Sequence, residues 1–396
     1  MESFDWTATI DINLQVLRAV GLWPKGLELY KSNLYTLYAC SAAIVVLGGH
    51  NLSQIINMFY VYTDLEALTA TIFITITNLL ATVKMYFFVR NMGLIKRLLT
   101  TLNSHQFRPK NLHQVRLVQH SLRRWKVLYF LYCGIVYINV MMWSLNPILN
   151  GWVKDHGLPF QAWYPFDVQV SPNYELAYLY QLYCIWHTSV ANINLDSNVI
   201  AFLMFTWCQC DILCDDLRSL DDGPSFGTRL IKCIKHHKAI LRFAEDSSNF
   251  YNMIVLGQFA TSTAALALTM FQLSLVRVPT CLIPCTIFYQ VETMSGEFFT
   301  HLSYIVGLTT QILLYCWFGN EVEIKSSKTL SAVYDSKWVG QPQSVTKNIL
   351  IFGMRCQKPI KITAINLFTL SLETFIAILR SAWSYFALLT NVDNTE

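Results

Sequence analysis

The stretch ITAINLFTLSLETFIAILRSAWSYFALLTNV, residues 362–392, is long enough to cross a bilayer as a helix, since about 20 residues rising roughly 1.5 Å each span a hydrocarbon core of roughly 30 Å. Turned at about 100° per residue from Leu388, it places Thr374, Ala377, Ser381, Ser384 and Val392 within roughly 40° of that leucine, with Leu372, Phe375, Leu379 and Phe386 on the far side. One face is small and hydroxylated and is closed by two aliphatic side chains; the other is bulky. Two readings compete for such a stripe. Small residues at these spacings let membrane helices pack closely, and Ser or Thr can bond its own backbone carbonyls. The same stripe suits a helix that lines a water path ending in a hydrophobic constriction, which gates by excluding water. Periodicity alone leaves both open and favours packing.

Outward from this helix, the chain has 396 residues, of which 54% are hydrophobic and 14% charged, against about 25% charged in an ordinary soluble domain. The balance implies an all-α polytopic membrane protein. The opening MESFDW carries two acids ahead of any base and no apolar core, so no cleaved signal is expected and the first span directs insertion. The eleven cysteines are scattered through apolar helices and basic loops, so buried free thiols are expected; only Cys281 and Cys285 fall where a bridge is an option. His236 and His237 lie in a Lys-rich run, which reads as a solvated face and not as a metal site.

In chain order, residues 11–20 form a loosely amphipathic pattern (Ile12, Gln15, Leu17, Val20) stopped by GLWPKG, read as a short interfacial helix. Spans are expected at 34–57, 65–89, 127–149, from 176 past 210, 253–276, 298–318 and in the last stretch. Lys84, near the end of the second span, is expected to snorkel to the interface. This gives an N-terminal segment 1–33, a six-helix body 34–318, a polar segment 319–361 and a final span with a short tail, 362–396. Asn51-Leu-Ser53 is a glycosylation pattern close to the membrane.

The loops after spans two, four and six carry the Lys and Arg clusters. By the positive-inside rule these are cytoplasmic, so the N-terminus is inside and the C-terminus outside. That is opposite to a G-protein-coupled receptor, and no Asp-Arg-Tyr follows span three and no Asn-Pro-x-x-Tyr lies in the last span. A transporter is disfavoured by the lack of an internal repeat or paired Gly/Pro interruptions, with Arg380 the clearest charge inside a span. No metal motif, phosphate loop or nucleophile elbow supports an enzyme. No cofactor and no nucleic-acid partner is expected; membrane lipid is the surrounding solvent.

The words LFTLSLETFIAILRSAWSYFALL resemble the C-terminal signature of the insect odorant receptors, and LRAVGLWP, YCWFGNEV and AVYDSKWV resemble other parts of that family. Ser384, Tyr385 and Asn391 stand where the wider insect chemoreceptor superfamily, gustatory-type receptors included, shows Thr-Tyr, five residues and Gln. The resemblance implies a seven-helix chemoreceptor channel fold in the plasma membrane of olfactory sensory neurons. It implies an odour-tuned subunit that shares a central non-selective cation pore with co-receptor subunits, since the loop between spans four and five lacks the co-receptor's large insertion. It places the gate at Leu388, Asn391 and Val392, with Thr374, Ala377, Ser381 and Ser384 lining the pore. It places the pocket for a small volatile ligand in the outer half of spans two, three, four and six. Those halves offer Phe73 and Thr77; Val136, Asn139, Val140 and Trp143; Tyr178, Gln181, Leu182 and Ile185; and Phe299 and Leu302. Thr77, Asn139, Tyr178 and Gln181 are the candidates for orienting a polar group of the ligand, because a buried polar group needs a partner.

Overall fold

A computed structural model describes residues 4–26, 30–220, 225–275, 296–365 and 367–393. Among them are seven helices long and apolar enough to cross a membrane. The first is built from α2 (Leu34–Ala42), a π-helical segment (Ala43–Gly49) and α3 (His50–Tyr60). The others are α4 (Leu65–Arg90), α6 (Leu112–Leu149), α7 (Asn173–Arg218), α8 (Phe226–Leu275), α9 (Gly296–Tyr334) and α11 (Leu372–Asp393). Shorter helices α1 (Asp11–Ala19), α5 (Met92–Leu102) and α10 (Gln343–Cys356) flank them. Three of the starts are fixed by side-chain caps. Asn33, Asp64 and Asn111 accept from the backbone N–H of Thr36 (2.9 Å), Ala67 (3.1 Å) and Gln114 (2.7 Å), which satisfies a donor the first turn leaves bare.

The helix α7 is the axis of the bundle. Its most apolar stretch is 94% buried, against 11% for α11, and it packs against α1, α4, α6, α8 and α9. Four helices far exceed a bilayer: α6, α7, α8 and α9 have 38, 46, 50 and 39 residues, or roughly 57–75 Å at about 1.5 Å per residue. Their surplus length builds a second core at the basic end, in which Leu213, Leu217 and Leu220 meet Phe226, Leu230 and Ile240 of α8, Val333 of α9 and Phe352 of α10.

Several expectations are corrected by this continuity. The helices that carry the third and fifth spans do not begin near 127 and 253: α6 and α8 run unbroken from Leu112 and Phe226 through the basic sequence before the expected spans. The helix of the sixth likewise does not stop at 318: α9 passes that position and continues to Tyr334. His236 and His237 are not solvated: they are 3% and 7% exposed, because the Lys-rich run is amphipathic and turns its imidazoles inward with Cys233, Ile240 and Phe243. The helix α1 is tied to the bundle, with Asn13, Leu14 and Leu17 buried and Ile12 outward; Asn13 Nδ2 donates to the Asn194 carbonyl at 2.9 Å. The nine cysteines among the described residues are free, while Cys281 and Cys285 fall outside those residues. Asn51 is buried, and its amide donates to Thr82 Oγ1 at 2.9 Å, which withdraws the amide nitrogen that glycosylation would use.

The last stretch is not helical from residue 362. A two-stranded antiparallel hairpin, β1 (Thr363–Ala364) and β2 (Phe368–Thr369), precedes α11, with Leu370 N–H donating to the Ile362 carbonyl at 2.9 Å. Ile362, Ala364 and Leu370 are buried, so the hairpin is a plug that seats the start of α11. It is received at Gly319 of α9, where an added Cβ would lie 2.6 Å from the Leu370 carbonyl oxygen. Only a residue without a Cβ allows that approach.

Lys84 does not snorkel. It is 0% exposed, and its ammonium bonds Asp196 at 2.7 Å and Asn192 Oδ1 at 3.0 Å. A partner inside the bundle offers more than the stretch to the interface would, because leaving hydrocarbon costs the stem its packing while the ion pair satisfies the charge where it stands.

Candidate ligand cavity

Between α4, α6, α7 and α9 lies a cavity of about 90 Å³. Its walls are apolar and aromatic: Ile74 and Ala81 of α4, Val136, Val140 and Trp143 of α6, Ile185 of α7 and Leu308 of α9, with Phe160 from the loop after α6. Phe160 reaches the cavity because Gln181 holds its backbone from both sides, accepting from Phe160 N–H at 3.0 Å and donating to its carbonyl at 2.9 Å. The ring then stacks on Trp143, 5.4 Å between centroids. Two polar pairs interrupt the wall. The Thr77 and Tyr304 hydroxyls lie 2.6 Å apart, and Asn139 Nδ2 donates to Ser303 Oγ at 2.9 Å.

The floor is polar. Tyr132, Asn192 and Gln311 line it, and all three belong to the network around Asp196. That carboxylate accepts from Lys84 Nζ (2.7 Å), Tyr315 OH (2.7 Å), Tyr132 OH (3.2 Å) and Gln311 Nε2. Gln311 in turn accepts from Gln258 Nε2 of α8 at 2.9 Å, and the same Gln258 amide donates to Ser262 at 2.6 Å. One buried carboxylate thus ties α4, α6 and α9 to α7, and one glutamine links the cavity floor to α8. A buried charge is tolerable only when so satisfied.

Of the residues singled out from sequence, Thr77, Val136, Asn139, Val140, Trp143 and Ile185 line this cavity. Phe73 does not: it is fully buried behind Trp143 and Tyr304, at 5.9 and 5.4 Å. Gln181 serves the loop, Leu182 lies off the wall, and the Tyr178 hydroxyl donates to the Ser144 carbonyl at 2.8 Å. Phe299 and Leu302 face outward, 44% and 39% exposed; the cavity face of α9 is Tyr304, Gly307, Leu308 and Gln311. Sequence reasoning also missed Asp196, although the polar run NINLDSN at 192–198 inside an apolar helix is the signal that finds it.

On α11, Ile378 and Ala382 carry the contact with the bundle. The stripe lies to one side: Ala377, Ser381, Ser384 and Leu388 are exposed, Leu388 by 61%. Thr374, Ala377, Ser381 and Leu388 border a groove of about 730 Å³ against Phe259, Thr263 and Ala267 of α8. The Ser381 and Ser384 hydroxyls donate to the carbonyls of Ala377 (3.0 Å) and Arg380 (3.1 Å), and Thr374 to that of Thr369 (2.7 Å). Asn391 is exposed on the last turn, and the side chain of Val392 lies outside the described residues.

The sequence model of the family described as "7tm Odorant receptor" matches residues 64–383. The chain belongs to the odorant receptor family. The receptor is 22% identical to odorant receptor Or1 of Anopheles gambiae over 99% of this chain and 97% of that protein, and 23% identical to odorant receptor 94a of Drosophila melanogaster over 96% of each. It is 26% identical to odorant receptor 10 of Aedes albopictus over 60% of this chain, a match that spans only 61% of that relative's length. Its fold is similar to that of the insect olfactory receptor OR5 from Machilis hrabei in complex with eugenol. The two superpose with a TM-score of 0.83 at 22% identity, over 98% of this receptor and 100% of that chain.

Proposed function

We propose that the receptor is an odour-tuned subunit of a ligand-gated, non-selective cation channel, assembled with a co-receptor of the same fold. It would bind a small volatile organic molecule in the α4–α6–α7–α9 cavity. The observation that carries this reading is the cavity itself: an aromatic chamber with a few hydrogen-bonding groups, buried in the bundle and linked through Gln311 and Gln258 to α8, the helix on which α11 packs. At about 90 Å³ it is well below the roughly 300–1,000 Å³ of sites for drug-sized ligands. That favours a compact ligand with one polar function, for which the Thr77–Tyr304 and Asn139–Ser303 pairs are the orienting groups.

In this reading α11 is the pore helix, Leu388, Asn391 and Val392 form its gate, and Thr374, Ala377, Ser381 and Ser384 line the path. The exposure of that stripe in the single chain supports it, because the face is not spent on packing within the bundle. The basic end is cytoplasmic and the cavity lies in the outer half, in the plasma membrane of olfactory neurons. Occupancy favours the arrangement of α8 and α9 that carries α11 off the axis, and it can do so only by the ligand's differential affinity for that arrangement. The test is whole-cell current in cells expressing the receptor with and without an insect co-receptor, under a panel of volatile esters, alcohols, terpenes and aromatics. A rapid cation current that needs both chains and no G protein is expected; uptake without current, or dependence on a G protein, overturns the proposal.

A further inference from the structure

At the basic end, far from the ligand cavity, the receptor holds a much larger recess of about 1,070 Å³ between α5, the following loop, the end of α7 and the first half of α8. Lys110, Arg229, Lys232, Lys235, Lys238 and Arg242 line it, against two carboxylates, Asp216 and Asp246. Lys110 is spent on Asp216, and Arg229 donates to the Ser219 carbonyl at 2.5 Å. Among the described residues, Lys232, Lys235, Lys238 and Arg242 have no hydrogen bond or ion pair and are exposed.

The spacing makes the recess unlike an ordinary solvated helix face. Lys232, Lys235 and Arg242 fall within an arc of about 80° at 100° per residue, and the pairs 232/235, 235/238 and 238/242 stand three or four residues apart. Like charges at those spacings repel across the helix surface, and between Phe226 and Ala244 the helix carries no Glu or Asp to offset them; Glu245 and Asp246 follow, of which Asp246 lines the recess. The inner wall adds a second observation. His236 is 3% exposed, its Nε2 pairs with Gln209 Oε1 at 3.0 Å, and its Nδ1 has no partner among the described residues.

We propose that this recess is a binding site for a polyphosphorylated anion, with Lys232, Lys235 and Arg242 as the principal ligands and Lys238 at the rim. Several phosphate groups on one small ring would sit within reach of three or four cations at once and remove their mutual repulsion, each contact being a charge-assisted hydrogen bond. The anion is either the headgroup of a phosphoinositide or a soluble inositol polyphosphate. Arg242 lies eleven residues before the expected start of the fifth span at Met253, or about 16 Å along the helix, near enough for a lipid headgroup at the upper rim. Basic pockets beside membrane helices are suited to such headgroups. The site stands apart from the ligand cavity and does not depend on it; only the lipid source rests on the basic end being cytoplasmic.

The experiment uses full-length receptor co-purified with its partner subunit. Inositol hexakisphosphate is titrated into the detergent-solubilised complex by calorimetry. In parallel, the complex is captured on nanodiscs of phosphatidylcholine containing phosphatidylinositol 4,5-bisphosphate, or containing phosphatidylserine at matched charge. Saturable binding of the soluble probe identifies the free anion as sufficient; preference for the phosphoinositide discs over the phosphatidylserine discs without it identifies the lipid. In either case the triple variant Lys232→Gln, Lys235→Gln, Arg242→Gln is expected to weaken binding at least about tenfold, and the charge-preserving Lys232→Arg, Lys235→Arg, Arg242→Lys to restore most of it. Lys347→Gln, which removes a cation on α10 outside the recess, should leave it unchanged. Binding that is equal in the wild type and the triple variant overturns the site, as does the absence of binding to both probes by wild-type complex that elutes as a single species.

Discussion

At the scale of single residues, Lys84 and Asp196 decide most. Removing one member of a buried pair leaves the other uncompensated, at a cost of about 3–5 kcal/mol. Lys84→Met should therefore lower the thermal midpoint and the surface expression of the receptor sharply, with Asp196 still facing Tyr132, Tyr315 and Gln311. Expression and melting equal to the wild type would mean that the pair contributes nothing net. The cavity wall offers a gentler probe. The Tyr304 hydroxyl lies 2.6 Å from Thr77 Oγ1, and a net hydrogen bond is worth about 0.5–1.5 kcal/mol. If this pair orients the ligand, Tyr304→Phe should shift the potency of oxygenated ligands by up to about tenfold while that of hydrocarbons of the same size holds, as read from paired dose–response curves. A uniform shift for both classes would assign Tyr304 to packing.

At the scale of elements, the helices were legible and their faces only in part: the cavity residues of α6 were found and those of α9 were not. The span from 65 to 89 differs from α4 by one residue, because apolar runs and the Asp64 cap are local signals. The cavity face of α9 was misassigned to Phe299 and Leu302 because lipid is as apolar as a protein interior, so hydropathy does not separate a residue facing lipid from one facing the bundle. The hairpin before α11 escaped for a different reason: its position depends on Gly319, more than forty residues earlier in the chain. Gly319→Ala should push Leu370 off its seat and cost about 1–3 kcal/mol as an overpacked contact, loosening the base of α11. Faster proteolysis or hydrogen exchange at residues 362–371 measures it, and unchanged protection there would remove the plug from the account. The amphipathic half of α8 gives an element-level pH dependence. Burial pushes the His236 and His237 imidazoles down to about 4 from an ordinary 6.5. The unfolded chain therefore binds more protons than the folded one between these values, so stability is full above about pH 6.5 and falls as the pH drops towards 4, by about 1.4 kcal/mol per unit of separation for each group. Melting of the purified receptor across that range should show the loss, and His236→Asn should reduce it by about half, leaving the share of His237.

The whole molecule is a bundle that buries its centre and leaves its last helix bare. The helix α7 is nearly enclosed, whereas α11 packs on the bundle with one face, Phe375, Ile378, Leu379 and Ala382, and exposes Leu388. An apolar side chain 61% exposed on a helix beside the bundle has two destinations, lipid or another subunit. In the proposed assembly it takes the second, with Thr374, Ser381 and Ser384 ranged on the same side of the helix. The same reasoning explains why the stripe read from sequence as ordinary packing: in the proposed assembly one chain supplies only its share of the axis, and periodicity carries no information about the other subunits. If Leu388 closes that axis by excluding water, then Leu388→Ser should wet the constriction and raise the basal current of the assembled channel in the absence of ligand. Leu379→Ser, on the far side of the same helix, should alter expression without opening the pore. Equal basal currents from Leu388→Ser and the wild type, at matched surface density, would move the gate away from this residue and return α11 to the role of a packing helix.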